Sequence, residues 1–136
     1  MTKKELSQLY YLRKEIKEQQ RRLSELEALA TSCNAKITGI PNGNGVSDKI
    51  ANYVTEIADL KSLLDLNLKK CFYELNRFDR FISSVKDSEM RIILTLRYSQ
   101  GLSWQQIAQN MGVLGDGSTE RKKHNRFLKL SRNSRL

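Results

Sequence analysis

The sequence predicts an all-α protein: a long helical hairpin or coiled coil, followed by a C-terminal tri-helical helix-turn-helix unit. Three observations predict it. Apolar residues recur at alternating three- and four-residue steps through much of residues 9–85, which is the spacing of one helix face. No stretch alternates with period two over a useful length, so no strand is expected. Residues 96–112, LRYSQGLSWQQIAQNMG, read as a helix end, a three-residue turn and a second helix that stops at glycine.

The first helix starts almost at the N-terminus, because Thr2 and Glu5 have the spacing of a capping box. Leu9, Leu12, Ile16, Gln19, Leu23, Leu26 and Ala30 then follow an a/d heptad series. Neither Gly nor Pro interrupts residues 1–38. The segment TGIPNGNGVSD at 38–48 holds the single proline and three of the seven glycines, and reads as a loop. Ser47 or Asp48 is expected to cap a second long helix. Its stripe runs Ile50, Tyr53, Ile57, Leu60, Leu64, Asn67 and Cys71, then Leu75, Phe78, Ile82 and Val85. A helix of about 38 residues is about 57 Å long, too long for a compact globule of 136 residues. Such a helix suits a hairpin or a coiled-coil partner. Gln19 and Asn67 interrupt the two stripes. A polar residue at an a or d position can fix register or oligomer state; the alternative is a solvated place at the rim.

Asp87 or Ser88 is expected to cap a third helix, with Met90, Ile93, Leu94 and Arg97 on one face. Gly101 can take a positive φ and end it. Ser103 and Gln106 make a second capping box, and Trp104, Ile107, Ala108 and Met111 share an apolar face. Trp104 reads as a core anchor, and Gly112 closes the helix. VLGDGS at 113–118 is a turn, with Ser118 or Asp116 as cap of a last helix at about 118–131. The tail after Arg132 is expected to fray. Residues 1–86 thus form a helical hairpin for oligomerisation or partner binding, and residues 87–136 a DNA-binding unit.

Charge supports that division. The chain has 24 basic and 15 acidic residues, a net charge of +9, and residues 113–136 alone hold seven basic and two acidic groups. A basic segment concentrated after a helix-turn-helix turn predicts a polyanion partner better than a high global isoelectric point does. The two cysteines, Cys33 and Cys71, lie far apart, and Cys71 falls on an apolar stripe as a small core residue. With one histidine and no CxxC spacing there is no metal motif. No nucleophile–base arrangement, phosphate-binding loop or convergent carboxylate pair points to an enzyme or a cofactor. The glycines of 39–48 lack the lysine and the preceding strand that a phosphate-binding loop needs. No signal peptide and no apolar run near membrane-spanning length is present. The expectation is a soluble protein of the bacterial host cytoplasm with no membrane partner.

On the last helix, Phe127 and Leu128 mark the inward face, and Glu120, His124 and Ser131 share it. Polar residues at positions that should be apolar predict a helix that is loosely seated or that orders only on DNA. His124 reads as a buried or half-buried packing residue. Opposite lie Ser118, Lys122, Asn125, Arg126 and Lys129, flanked by Thr119 and Lys123. Arg on guanine and Asn on adenine have good bidentate geometry, so Lys122, Asn125 and Arg126 are the candidate base readers. Ser118, Thr119, Lys123 and Lys129 are candidate phosphate contacts, with the helix N-terminus. Gln105 and Gln106, at the start of the preceding helix, could also meet backbone phosphates.

The motifs Leu96-Arg97-Tyr98, Gly101-Leu102-Ser103 and Ile107-Ala108 before Gly112 resemble region 4 of bacterial sigma-70 factors. The long helical N-terminal half, the loop from Gly39-Ile40-Pro41 through Gly43, Gly45 and Ser47-Asp48, and the sigma-like C-terminus together resemble the RinA/ArpU-like regulators of late transcription in phages and prophages. The resemblance covers most of the chain, with 96–112 its specific part. Against sigma region 4, the turn before the reading helix is stretched by Gly115-Asp116-Gly117. The resemblance implies a sequence-specific DNA-binding transcription regulator, an activator of phage or prophage late genes. Its partners would be double-stranded DNA and bacterial RNA polymerase, and the hairpin would make it a homo-oligomer. Two alternatives accompany it: a small terminase-like DNA-packaging protein, and a sigma-like RNA polymerase interaction module that does not read DNA.

Overall fold

The computed structural model describes residues 1–37 and 44–134, the side chains of 34–37 and 44–47 aside. The described residues form helices joined by turns, with no strand: α1 (Lys3–Ile37), α2 (Asn44–Ser83), α3 (Ser88–Leu94), a π turn (Thr95–Ser99), α4 (Trp104–Asn110) and α5 (Ser118–Asn133). None of these helices is long and apolar enough to cross a membrane. The chain divides into two compact units, Glu15–Lys70 and a second made of Met1–Lys14 with Cys71–Leu136. This division differs from a boundary at residue 86, because the first turns of α1 and the last turns of α2 enter the same core as α3–α5.

The Thr2–Glu5 capping box forms in full. Glu5 Oε2 accepts from the Thr2 backbone N–H at 2.7 Å, and Thr2 Oγ1 accepts from the Glu5 N–H at 3.2 Å. Most of the expected loop at 38–48 lies outside the described residues, but α2 is already helical from Asn44, ahead of Ser47 and Asp48. A helical Gly45 costs only about 1 kcal/mol, and Pro41, the one strong breaker, lies upstream.

In the unit Glu15–Lys70, α1 and α2 pair antiparallel along their predicted stripes. Ile16, Leu26 and Leu64 are buried. Gln19 and Asn67 are buried as well, and Asn67 Nδ2 donates to Gln19 Oε1 at 3.1 Å. The two polar interruptions therefore satisfy each other inside the hairpin rather than at its rim. Lys61 and Glu27 add an exposed ion pair at 3.5 Å.

In the other unit the core joins Leu6 and Leu9 of α1, Phe78 of α2, Ile93 and Leu94 of α3 and Ile107 of α4, all under 2 % exposed. Cys71 is buried beside this core, and burial pushes its thiol above the usual range. Arg77 on α2 bridges Glu74 at 3.0 Å and Glu5 at 2.9 Å. Glu5 is pushed down to about 2, chiefly by the Thr2 N–H and then by Arg77.

Asp87 is the N-cap of α3, its carboxylate accepting from the Glu89 N–H at 3.1 Å. The third helix does not run on regularly to Gly101. It widens into the π turn, where the Gln100 N–H bonds the Thr95 carbonyl at 3.1 Å. Gly101, at φ +70°, then reverses the chain. Ser103 caps α4 in a complete box with Gln106.

Candidate functional site

α5 follows α4 through a turn whose last residue, Gly117, has φ +84°. A Cβ there would collide with the Trp104 carbonyl oxygen, so this position is glycine for two reasons: a left-handed backbone and a close approach. Gly117, rather than Ser118 or Asp116, occupies the N-cap position. Asp116 nonetheless serves the helix end: its carboxylate accepts from the Ser118 N–H at 3.0 Å. That contact holds the Asp116 carboxyl below its usual range.

The inward face of α5 is Glu120, His124 and Leu128, all buried, with Phe127 and Ser131 half-buried at its edges. The polar residues on this face do not loosen it. The His124 ring lies between Tyr98 and Trp104, with ring centroids 5.6 Å and 4.9 Å away. His124 Nδ1 is 3.1 Å from Asn125 Oδ1, and Nε2 is 2.6 Å from the Tyr98 hydroxyl. The amide oxygen can only accept, so Nδ1 carries the proton and Nε2 accepts from the Tyr98 O–H. Burial pushes His124 down to about 4, with Lys3 and Arg97 adding repulsion and the Asn125 contact opposing it. Burial likewise pushes the Tyr98 hydroxyl up to about 12. The pair is neutral near neutral pH and needs no counter-ion.

The outward face carries Ser118, Thr119, Lys122, Arg126 and Lys129, all exposed. Two sequence candidates sit differently. Lys123 is exposed but donates to Glu89 of α3 at 2.6 Å, which raises its pKa. Asn125 is half-buried, and its Oδ1 accepts both from His124 and from Lys3 Nζ, the latter at 3.3 Å. That leaves the Asn125 Nδ2 as the amide group still able to donate. At the start of α4, Gln105 is exposed, while Gln106 spends its Oε1 on the Ser103 N–H at 2.9 Å.

The structure adds a feature that sequence reading missed. A pocket of about 350 Å³ opens on the Arg121–Asn125 flank of α5. One wall is Lys3, Ser7 and Tyr10 of α1, and another is Arg97, Tyr98 and Trp104. The Arg97 guanidinium stacks over Tyr10 at 4.1 Å and Trp104 at 4.6 Å and donates to the Leu102 carbonyl at 2.9 Å. Arg121 is readable from sequence as the neighbour of Asn125 one helical turn back. Lys3 is not, since 122 residues separate it from Asn125.

Compared with protein-family models, with characterised proteins and with solved structures, the chain has no significant match.

Proposed function

We propose that this chain is a sequence-specific DNA-binding regulator of transcription, acting on phage or prophage late genes, with α5 as the reading helix. The observation that carries the reading is the division of α5 into two faces. His124 and Leu128 seat one face in the core, while Lys122, Arg126 and Lys129 stand exposed on the other with no carboxylate bonded to them among the described residues. A short capped helix, a turn and an exposed basic helix are the arrangement by which a helix-turn-helix enters the major groove. The sigma-like motif at 96–112 supports the same assignment, and bacterial RNA polymerase is the protein partner that goes with it. In the hairpin unit, Leu29, Val54, Leu63 and Leu66 remain exposed, which supports self-association on the DNA.

Selection of binding sites from random duplex DNA by the full-length chain tests this. The expected result is one preferred motif, bound with a slope of log K on log salt near −4, as about four to five phosphate contacts per protomer give. Absence of salt-dependent binding to any duplex overturns the reading and leaves a polymerase-gripping module. A ring of many subunits with no promoter-proximal footprint points instead to DNA packaging.

A further inference from the structure

The pocket beside α5 is lined by none of Lys122, Arg126 and Lys129, the exposed basic residues of the proposed reading face. Its lining includes three cationic side chains, Lys3, Arg97 and Arg121, and no carboxylate. Like charges gathered around one cavity oppose folding unless an anion offsets them. Arg97 is already committed to the Leu102 carbonyl and to two aromatic faces, so it contributes charge. Lys3 and Arg121 have capacity left. Lys3 makes only a 3.3 Å contact to a neutral amide, and Arg121 is exposed with no acidic partner among the described residues. The Asn125 oxygen is occupied, so its Nδ2 is the group left to donate, and the Ser7 hydroxyl adds a further donor in the wall. The π turn is what brings Arg97 and Tyr98 to the cavity, and such turns recur at binding sites.

We propose that this pocket binds a phosphate group, either of the DNA backbone or of a small phosphorylated compound. Donors from α1 and α5, two separate elements, line one volume. That suits the tetrahedral oxygens of a phosphate better than a flat carboxylate, which one Arg fork satisfies. The volume of about 350 Å³ exceeds a bare phosphate and leaves room for an attached sugar or ring against Tyr98 and Trp104. The repulsion that Lys3 and Arg97 exert on a proton at His124 reports the same positive field. Of the two sources, only the DNA backbone rests on the function proposed above.

Trp104 is the chain's single tryptophan and lines the pocket, so its fluorescence reports occupancy. The full-length chain is titrated with sodium phosphate, with adenosine monophosphate, and with sodium chloride at matched ionic strength. A saturable change with phosphate but not chloride is expected. A double variant, Lys3→Met with Arg121→Gln, should bind phosphate at least about tenfold more weakly while melting at the same temperature or higher, since both side chains are exposed and their loss relieves like-charge repulsion. Equal responses to phosphate and chloride, or an unaffected double variant, overturn the proposal. Duplex DNA then separates the sources. If the double variant lowers the salt slope by one to two units, the phosphate belongs to DNA. If the slope holds and adenosine monophosphate binds, it belongs to a free compound. A chain that binds phosphate but no duplex keeps the pocket and loses the DNA reading of α5.

Discussion

The Tyr98 hydroxyl lies 2.6 Å from His124 Nε2, and this contact joins the π turn to the middle of α5. Tyr98→Phe keeps the ring and its edge contact with Phe78 at 6.2 Å but leaves a buried imidazole nitrogen without its donor. Unpaired buried acceptors cost about 1–3 kcal/mol. Urea unfolding of the variant should show a loss in that range.

The same histidine sets a pH dependence. Its pKa is about 4 in the folded protein against 6.5 when unperturbed. Between those values the unfolded chain binds the extra proton, so stability rises with pH and falls as pH drops through the window. Its partner Tyr98, whose hydroxyl burial pushes up to about 12, stays neutral throughout that window. Roughly 2 kcal/mol should be lost between pH 7 and pH 5. Below about 4.5 the unfolded chain also takes up a proton at Glu5, whose folded value is about 2, and stability falls in the same direction. Urea midpoints at the two pH values check this, and His124→Phe should flatten the slope.

Gln19 and Asn67 are paired at 3.1 Å in the hairpin. Asn67→Leu strands the Gln19 amide and should cost about 1–3 kcal/mol. Replacing both with Leu should restore stability, because an apolar pair needs no partner. If the polar pair also fixes alignment, sedimentation equilibrium of the double-Leu variant should show mixed species where the native chain gives one.

Much of this architecture was legible because its determinants are local. Both capping boxes, the turn at Gly101 and the a/d stripes each depend on residues a few positions apart. The outward face of α5 was legible for the same reason. The start of α2 was not, since Gly45 and Ser47 read as loop while the helix tolerates both. The π turn was hidden as well, since Thr95–Ser99 has the composition of an ordinary helix. The pocket needed the whole fold, because Lys3 and Asn125 meet only when α1 lies against α5. The seat of His124 was half legible, its burial predicted from helical phase and its Tyr98 partner visible only in three dimensions.

Gly117→Ala tests the α4–α5 turn. An L residue in the left-handed region costs roughly 1–2 kcal/mol, and the added methyl must also displace the Trp104 carbonyl. A total loss on the order of 3 kcal/mol is expected, read as a lower urea midpoint. A shift in Trp104 emission should accompany it. Gly115→Ala, at φ +152° with open space around it, should cost clearly less.

The exposed face of α5 should separate specificity from bulk affinity. Arg126 stands opposite the seated His124–Leu128 face with no acidic partner among the described residues. Arg126→Ala should therefore cost about 1–3 kcal/mol on the preferred site and relax choice at one or two base pairs. Lys122→Ala should behave similarly. Lys129→Ala should instead weaken all sequences alike and reduce the salt slope by about one unit. Lys123 offers the internal control. Its ammonium is engaged with Glu89 at 2.6 Å, so it releases fewer counter-ions on binding, and Lys123→Ala should change the slope less than Lys129→Ala. Asn125, its oxygen held by His124 and Lys3, can donate but cannot complete a bidentate adenine contact. Asn125→Asp, which removes the Nδ2 donor and adds a negative charge, should weaken binding without shifting preference away from adenine. Anisotropy titrations over a salt series, on the selected site and on a scrambled duplex, measure all of these. If Arg126→Ala leaves site preference intact while Arg121→Ala abolishes it, base reading lies on the pocket flank of α5, and the assigned outward face is the wrong one.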